Sequence, residues 1–253
     1  VSGRISLRDR LNTLSEAKIV GADNLPQLLR AILLVYFGFE AVLAGWLTQR
    51  LHFEYGYSLG DALWHGTFHA VSSFNNGGFT LYSDSMMGFN SDFFFIAPVM
   101  LAVVVGGLGF PVLIELHERL WRLNIQPNGK PKRFSLHTRL TLGATIVLLA
   151  LGSLFIGALE WNNPNTLGAL SGLDRIWNTI FASVMPRSGG LNAVDISQMD
   201  PATWLGMDFL MFIGGGSASA AGGIKVTTMA VLFYIILTEI RGETAVNVGN
   251  RRL

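Results

Sequence analysis

The sequence predicts an all-α membrane protein assembled from tandem helix–pore-loop–helix units. Half of its 253 residues are hydrophobic and only 14% are charged, with a positive mean hydropathy. The stretch Ser72-Ser73-Phe74-Asn75-Asn76-Gly77-Gly78-Phe79-Thr80-Leu81 holds adjacent glycines and amides between apolar flanks. It returns, altered, as Val184-Met185-Pro186-Arg187-Ser188-Gly189-Gly190-Leu191-Asn192, an offset of 112 residues from Gly78 to Gly190. In each copy a short apolar segment with a tryptophan (Trp64, Trp177) precedes the glycines and a long one follows. The 29 glycines and 17 phenylalanines suit membrane packing. A net charge of +1 gives no reason to expect nucleic acid, and the absence of cysteine excludes disulfides and thiolate metal sites.

The first 26 residues are polar, with Arg4, Arg8, Arg10 and Lys18, so no signal peptide is read there. A start at Val1 rather than Met leads us to expect the middle of a longer polypeptide. Leu28–Leu47 is the first span, since about 20 apolar residues cross the hydrocarbon core. Asp61–Phe74 has 14 residues, too few to cross, and reads as a helix that enters the membrane and stops. Phe93–Leu116 is the second span, and Gly106, Gly107, Gly109 and Pro111 predict a bend or close contact near its cytoplasmic end. A basic loop, Arg119 to Arg133, turns at Pro127-Asn128-Gly129. Leu140–Leu159 is the third span, and Asp174–Met185 the second short helix.

After the polar Asn192–Asp200 loop, Trp204–Ile240 is apolar for 37 residues. As one helix it would reach about 55 Å, against a core of about 30 Å. Its middle, Gly214-Gly215-Gly216-Ser217-Ala218-Ser219-Ala220-Ala221-Gly222-Gly223, predicts a helix broken inside the membrane. Irregular backbone there is tolerated only where it is buried in protein or lines a water-filled cavity.

Basic residues set the expected orientation. Arg30 joins the N-terminal group; Arg119, Arg122, Lys130, Lys132, Arg133 and Arg139 form the central one; Arg241, Arg251 and Arg252 lie at the end. The glycine-loop segments carry Arg50, Arg175 and Arg187 against seven acids: Glu54, Asp61, Asp84, Asp92, Asp174, Asp195 and Asp200. The loops are therefore expected to enter from outside, with both ends of the segment cytoplasmic. A pore that selects cations replaces hydration water with backbone carbonyls. Glycine permits the dihedrals this requires, and a short helix ending before the loop points negative charge at the ion.

These residues resemble the Ktr/Trk/HKT superfamily of potassium transporters, most closely its bacterial Ktr-type membrane subunit. Asn76-Gly77-Gly78-Phe79 and Ser188-Gly189-Gly190-Leu191 match its filter pattern. Gly214–Gly223 with Ile224-Lys225-Val226-Thr227-Thr228 looks like its intramembrane gating loop. The resemblance implies potassium uptake through a carbonyl-lined filter in the plasma membrane, with sodium as a second candidate ion and no covalent cofactor. It implies four repeats around a pseudo-fourfold pore. Two are present: residues 28–121 resemble the second and 137–242 the third, joined by a cytoplasmic loop at 122–136 and flanked by a connecting segment, 1–27, and a tail, 243–253. Gly3-Arg4-Ile5-Ser6-Leu7-Arg8 resembles the end of a first repeat, and the fourth, with its pore-lining arginine, is absent. Partners implied are the bilayer, the remaining repeats, a second subunit in a homodimer and a cytoplasmic nucleotide-binding regulatory ring.

Other residues carry paired readings. His65 and His69, four apart, read as metal ligands or as pore-helix packing. Lys225 hydrogen-bonds loop carbonyls, forms a cationic barrier or snorkels to the interface. Arg187 scaffolds the second loop by pairing with an acid such as Asp195. Asp208 contacts the pore helices or is a lining acid, the structural role being preferred, and Glu40 pairs or accepts a hydrogen bond from a neighbouring helix. Two alternatives to the pore stand beside it: a secondary transporter with discontinuous helices, and an intramembrane metalloenzyme using His65 and His69.

Overall fold

The computed structural model describes residues 25–121, 134–241, 247–248 and 251–252. The expectations for the N-terminal arm, most of the basic central loop and most of the tail lie outside the described residues. Helix α1 (Leu25–Phe53) is followed by the short α2 (Leu59–Phe74), a glycine loop and α3 (Phe93–Leu108). At Gly109 the chain bends by 104° into α4 (Phe110–Trp121). The same order then recurs: long α5 (Leu136–Glu160), short α6 (Gly172–Val184), a second glycine loop and α7 (Pro201–Phe212). A non-helical stretch separates α7 from α8 (Val226–Arg241), and Asn247–Val248 pairs antiparallel with Arg251–Arg252.

Local chemistry sets these ends. Ser58, Asp92, Ser135 and Asp200 each accept a backbone N–H at a helix start, and Pro201 occupies the first turn of α7. The expected span Leu28–Leu47 is too short, because α1 runs on to Phe53. The extension is polar in sequence yet held: Arg50 Nε donates to Asp92 Oδ2 at 2.9 Å, and the Tyr55 hydroxyl reaches the same oxygen at 3.0 Å. The bend expected in Phe93–Leu116 is present at Gly109, and it is large enough to divide the stretch into two helices at nearly a right angle. Among the described residues, two helices are long and apolar enough to cross a membrane, and a third span results if the bent pair counts as one.

Packing buries the C-terminal halves of the short helices, the ends that lead into the glycine loops. Phe74, at the end of α2, is fully buried against Tyr36 and Phe39 of α1, each with ring centroids 4.9 Å away. Gly152 lets α5 approach α6 so closely that a Cβ there would lie 2.4 Å from Ser183 Oγ. Large apolar side chains such as Leu34, Phe37, Leu154 and Ile240 are exposed on the outer helix faces.

Candidate functional site

The two glycine loops have the same backbone handedness pattern. Asn76 and Gly78 lie in the left-handed region (φ 53° and 70°), and so do Ser188 and Gly190 (φ 79° and 69°), with Gly77 and Gly189 outside it. Left-handed residues at every second position prevent the carbonyl alternation of an ordinary strand, and only glycine adopts them without strain. The loops meet. A Cβ built on Gly190 would lie 2.8 Å from Gly78 Cα, and one on Gly78 would lie 3.1 Å from Gly190 Cα. A cavity of about 340 Å³ lies against both, lined by Gly77, Gly78, Ser188 and Gly190 together with Phe181, Met207 and Met211.

The first loop is held by the helix that leads into it. Ser72 Oγ donates to Phe79 O (2.7 Å) and accepts from Phe79 N (2.9 Å), and Gly77 N donates to Ser72 O (2.7 Å). With its amide nitrogen toward Ser73 O and Val103 O, Asn76 donates to both, at 3.2 and 3.1 Å. Phe79 is largely exposed, whereas its counterpart Leu191 is buried. His69 Nε2 accepts from Leu81 N at 3.3 Å and Nδ1 donates to His65 O at 2.7 Å, which holds the ring as its neutral tautomer. His65 stacks on Tyr82. This is packing behind a loop, and no group of three metal-ligating side chains occurs among the described residues. Glu40 accepts from Asn75 Nδ2 at 2.6 Å.

The second loop is tied to the first on one side. Asn192 N donates to Ser85 Oγ at 3.0 Å, and Asn192 O accepts from Met86 N at 2.8 Å. On the other side it holds the break between α7 and α8. Arg187 Nη2 donates to Gly214 O at 3.0 Å, and Ser188 Oγ accepts from Gly222 N at 3.0 Å. Lys225 Nζ donates to Ala221 O at 2.6 Å, and Ile213 bridges Ile224 across the neck. Ser217, Ala218, Ser219, Ala220 and Gly223 complete this compact loop, with Ser219 Oγ on Gly216 O.

Two expectations are corrected here. Arg187 does not pair with Asp195; Asp195 caps Ser197, and the guanidinium turns to a carbonyl freed by the helix break. Asp208 is exposed on α7 rather than against the pore helices. The sequence reading missed Ser72 and Ser85 as supports, because nothing in the sequence singles out Ser72 from Ser73 or Ser85 from Ser83.

A family model for TrkH, a cation transport protein, matches residues 2–253. The chain belongs to the TrkH family of cation transport proteins. It is 35% identical over 240 residues to the Ktr system potassium uptake protein B of Bacillus subtilis, covering 95% of this chain and 50% of that protein. It is 35% identical over 200 residues to the potassium/sodium uptake protein NtpJ of Enterococcus hirae, covering 79% and 42%. The crystal structure of the potassium transporter TrkH from Vibrio parahaemolyticus superposes with a TM-score of 0.69 at 17% identity, over 95% of this chain and 49% of that one, and shows the TrkH fold. The chain thus spans about half the length of the relatives it matches. TrkH-family members are ion transporters rather than enzymes, so the metalloenzyme alternative falls.

Proposed function

We propose that this chain supplies two of the glycine loops of a potassium-uptake pore in the plasma membrane. Asn76–Phe79 and Ser188–Leu191 act as filter strands, and Gly214–Gly223 with Lys225 as the gate. The observation that carries this is the shared left-handed alternation at Asn76/Gly78 and Ser188/Gly190, in loops that touch at their glycines. Short helices α2 and α6 end just before the strands and direct negative dipole ends toward a cation. Glycine loops facing outward and cytoplasmic segment ends follow from the distribution of basic residues.

The other repeats of a longer chain would complete the ring, with repeats at 28–121 and 137–242 as the second and third. The names of the relatives support potassium as the ion, and that of NtpJ supports sodium as well. "Ktr system" supports further components, for which a homodimer on a cytoplasmic nucleotide-binding ring is our reading. The carrier alternative is weaker, because the polar groups freed at the helix breaks bond one another rather than facing a solute site.

Replacement of Gly78 or Gly190 by serine tests the filter. Each new Cβ meets the opposite loop at about 3 Å or less, on a backbone that disfavours it. Potassium uptake should fall, or potassium/sodium discrimination weaken, with protein still in the membrane. Unchanged uptake and selectivity in both variants would remove these glycines from the filter.

A further inference from the structure

We infer that the right-angle break between α3 and α4 is the seat of the Gly214–Gly223 loop, and that Glu115 is the positioning residue that sets α4 for it. This rests on the gate reading and adds the element through which the gate is set. A helix break strands backbone groups of the adjoining turns, and unpaired groups at membrane depth are costly. Here two breaks satisfy each other. Gly107 O accepts from Gly216 N at 2.7 Å, and Phe110 N donates to Ala218 O at 3.3 Å. The fit is close: a Cβ on Gly109 would lie 2.3 Å from Ser217 O, and one on Gly216 would lie 2.2 Å from Leu108 O.

The sequence removes the ordinary helical partner of one of these groups. In a continuous helix Gly107 O would accept from the N–H of residue 111, four positions on. That residue is Pro111, which has none. Gly107 O therefore lacks its ordinary helical donor, and the loop supplies one. Phe110 N differs, since opening the bend would return it to Gly106 O. Departure of the loop therefore favours a straighter α3–α4, and a straighter α3–α4 removes the loop's seat.

Glu115 holds the bent state. Its carboxylate accepts from Ser135 N and Ser135 Oγ, both at 2.7 Å, and from Thr138 Oγ1. These groups form the N-terminus of α5, where a carboxylate meets free N–H groups and the positive dipole end. The short α4 is thus braced on a helix long enough to span the membrane, and its swing requires that brace to release.

Rubidium flux through the assembled transporter in liposomes tests this, using Glu115→Gln, deletion of 214–223, and both together. Loss of the charge-assisted bonds should raise flux about fivefold, as one weakened hydrogen-bond cluster allows. In the deletion background Glu115→Gln should add nothing, because no loop remains to release. The chain has no cysteine, so spin labels at Leu116→Cys and Ile146→Cys report the α4–α5 distance, which should shift when the loop is deleted. Independent, multiplying effects on flux, or an unchanged distance, would overturn the inference. A deletion that leaves flux unchanged would instead sink the gate reading, while the distance still decides whether the loop holds the bend. If Glu115→Gln fails to reach the membrane, Thr138→Val, which removes one donor, takes its place with the same expected outcomes.

Discussion

Arg187 is a buried guanidinium whose Nε has no hydrogen-bond partner and whose Nη2 donates to a main-chain carbonyl. Burying such a charge costs several kcal/mol, so its place beside a glycine loop calls for a functional reason. It sits next to Ser188, and the two residues grip opposite ends of the helix break, at Gly214 O and Gly222 N. We expect Arg187→Gln to loosen the loop by ~1 kcal/mol. Rubidium uptake should rise several-fold while potassium/sodium discrimination persists; lost discrimination without increased uptake would make Arg187 a strut of the filter alone. The glycines on either side were legible in the sequence because they recur at a fixed offset. The partner of Arg187 was not. A sequence displays acids such as Asp195, whereas a carbonyl becomes available only where the fold breaks a helix.

At the scale of elements, Glu160 ties the second repeat together. Fully buried at the end of α5, it accepts from Asn163 Nδ2 and Thr166 Oγ1 on one oxygen, and from Asp200 N and Thr203 Oγ1 on the other. The last two belong to the start of α7, so one carboxylate fixes where the broken helix enters. Glu160→Gln keeps a single acceptor oxygen and leaves donors facing an amide nitrogen. It should destabilise by about 1–3 kcal/mol, visible as a lower melting temperature in detergent; an unchanged melting temperature would deny Glu160 this role. The break in α7–α8 was readable because 37 apolar residues exceed the membrane, and the short α2 and α6 because they fall below it. The right-angle turn at Gly109 was only half readable. Gly106, Gly107, Gly109 and Pro111 announced a bend, but the loop packed against it lies more than a hundred residues downstream, where no local pattern reveals the contact. The run of α1 past Leu47 was hidden for a similar reason: Arg50 and Asp92 look polar singly and become compatible with a helix only as a pair.

On the scale of the whole molecule, Gly78 and Gly190 lie side by side, and two loops so placed do not surround an ion. Exposed apolar side chains on α1, α5, α7 and α8 offer surface both to lipid and to further protein. The 253-residue chain alone, shown to be monomeric, should therefore pass no potassium in liposomes loaded with a potassium-sensitive dye. Robust flux from that monomer would overturn the four-repeat reading. In the proposed pore a monovalent cation is held by the strands Asn76–Phe79 and Ser188–Leu191. Anomalous scattering from rubidium bound to the crystallised transporter locates that cation directly. A peak is expected within coordination distance of backbone carbonyls from both strands, lost in Gly190→Ser. A rubidium peak bound elsewhere, with none at the two strands, would contradict it.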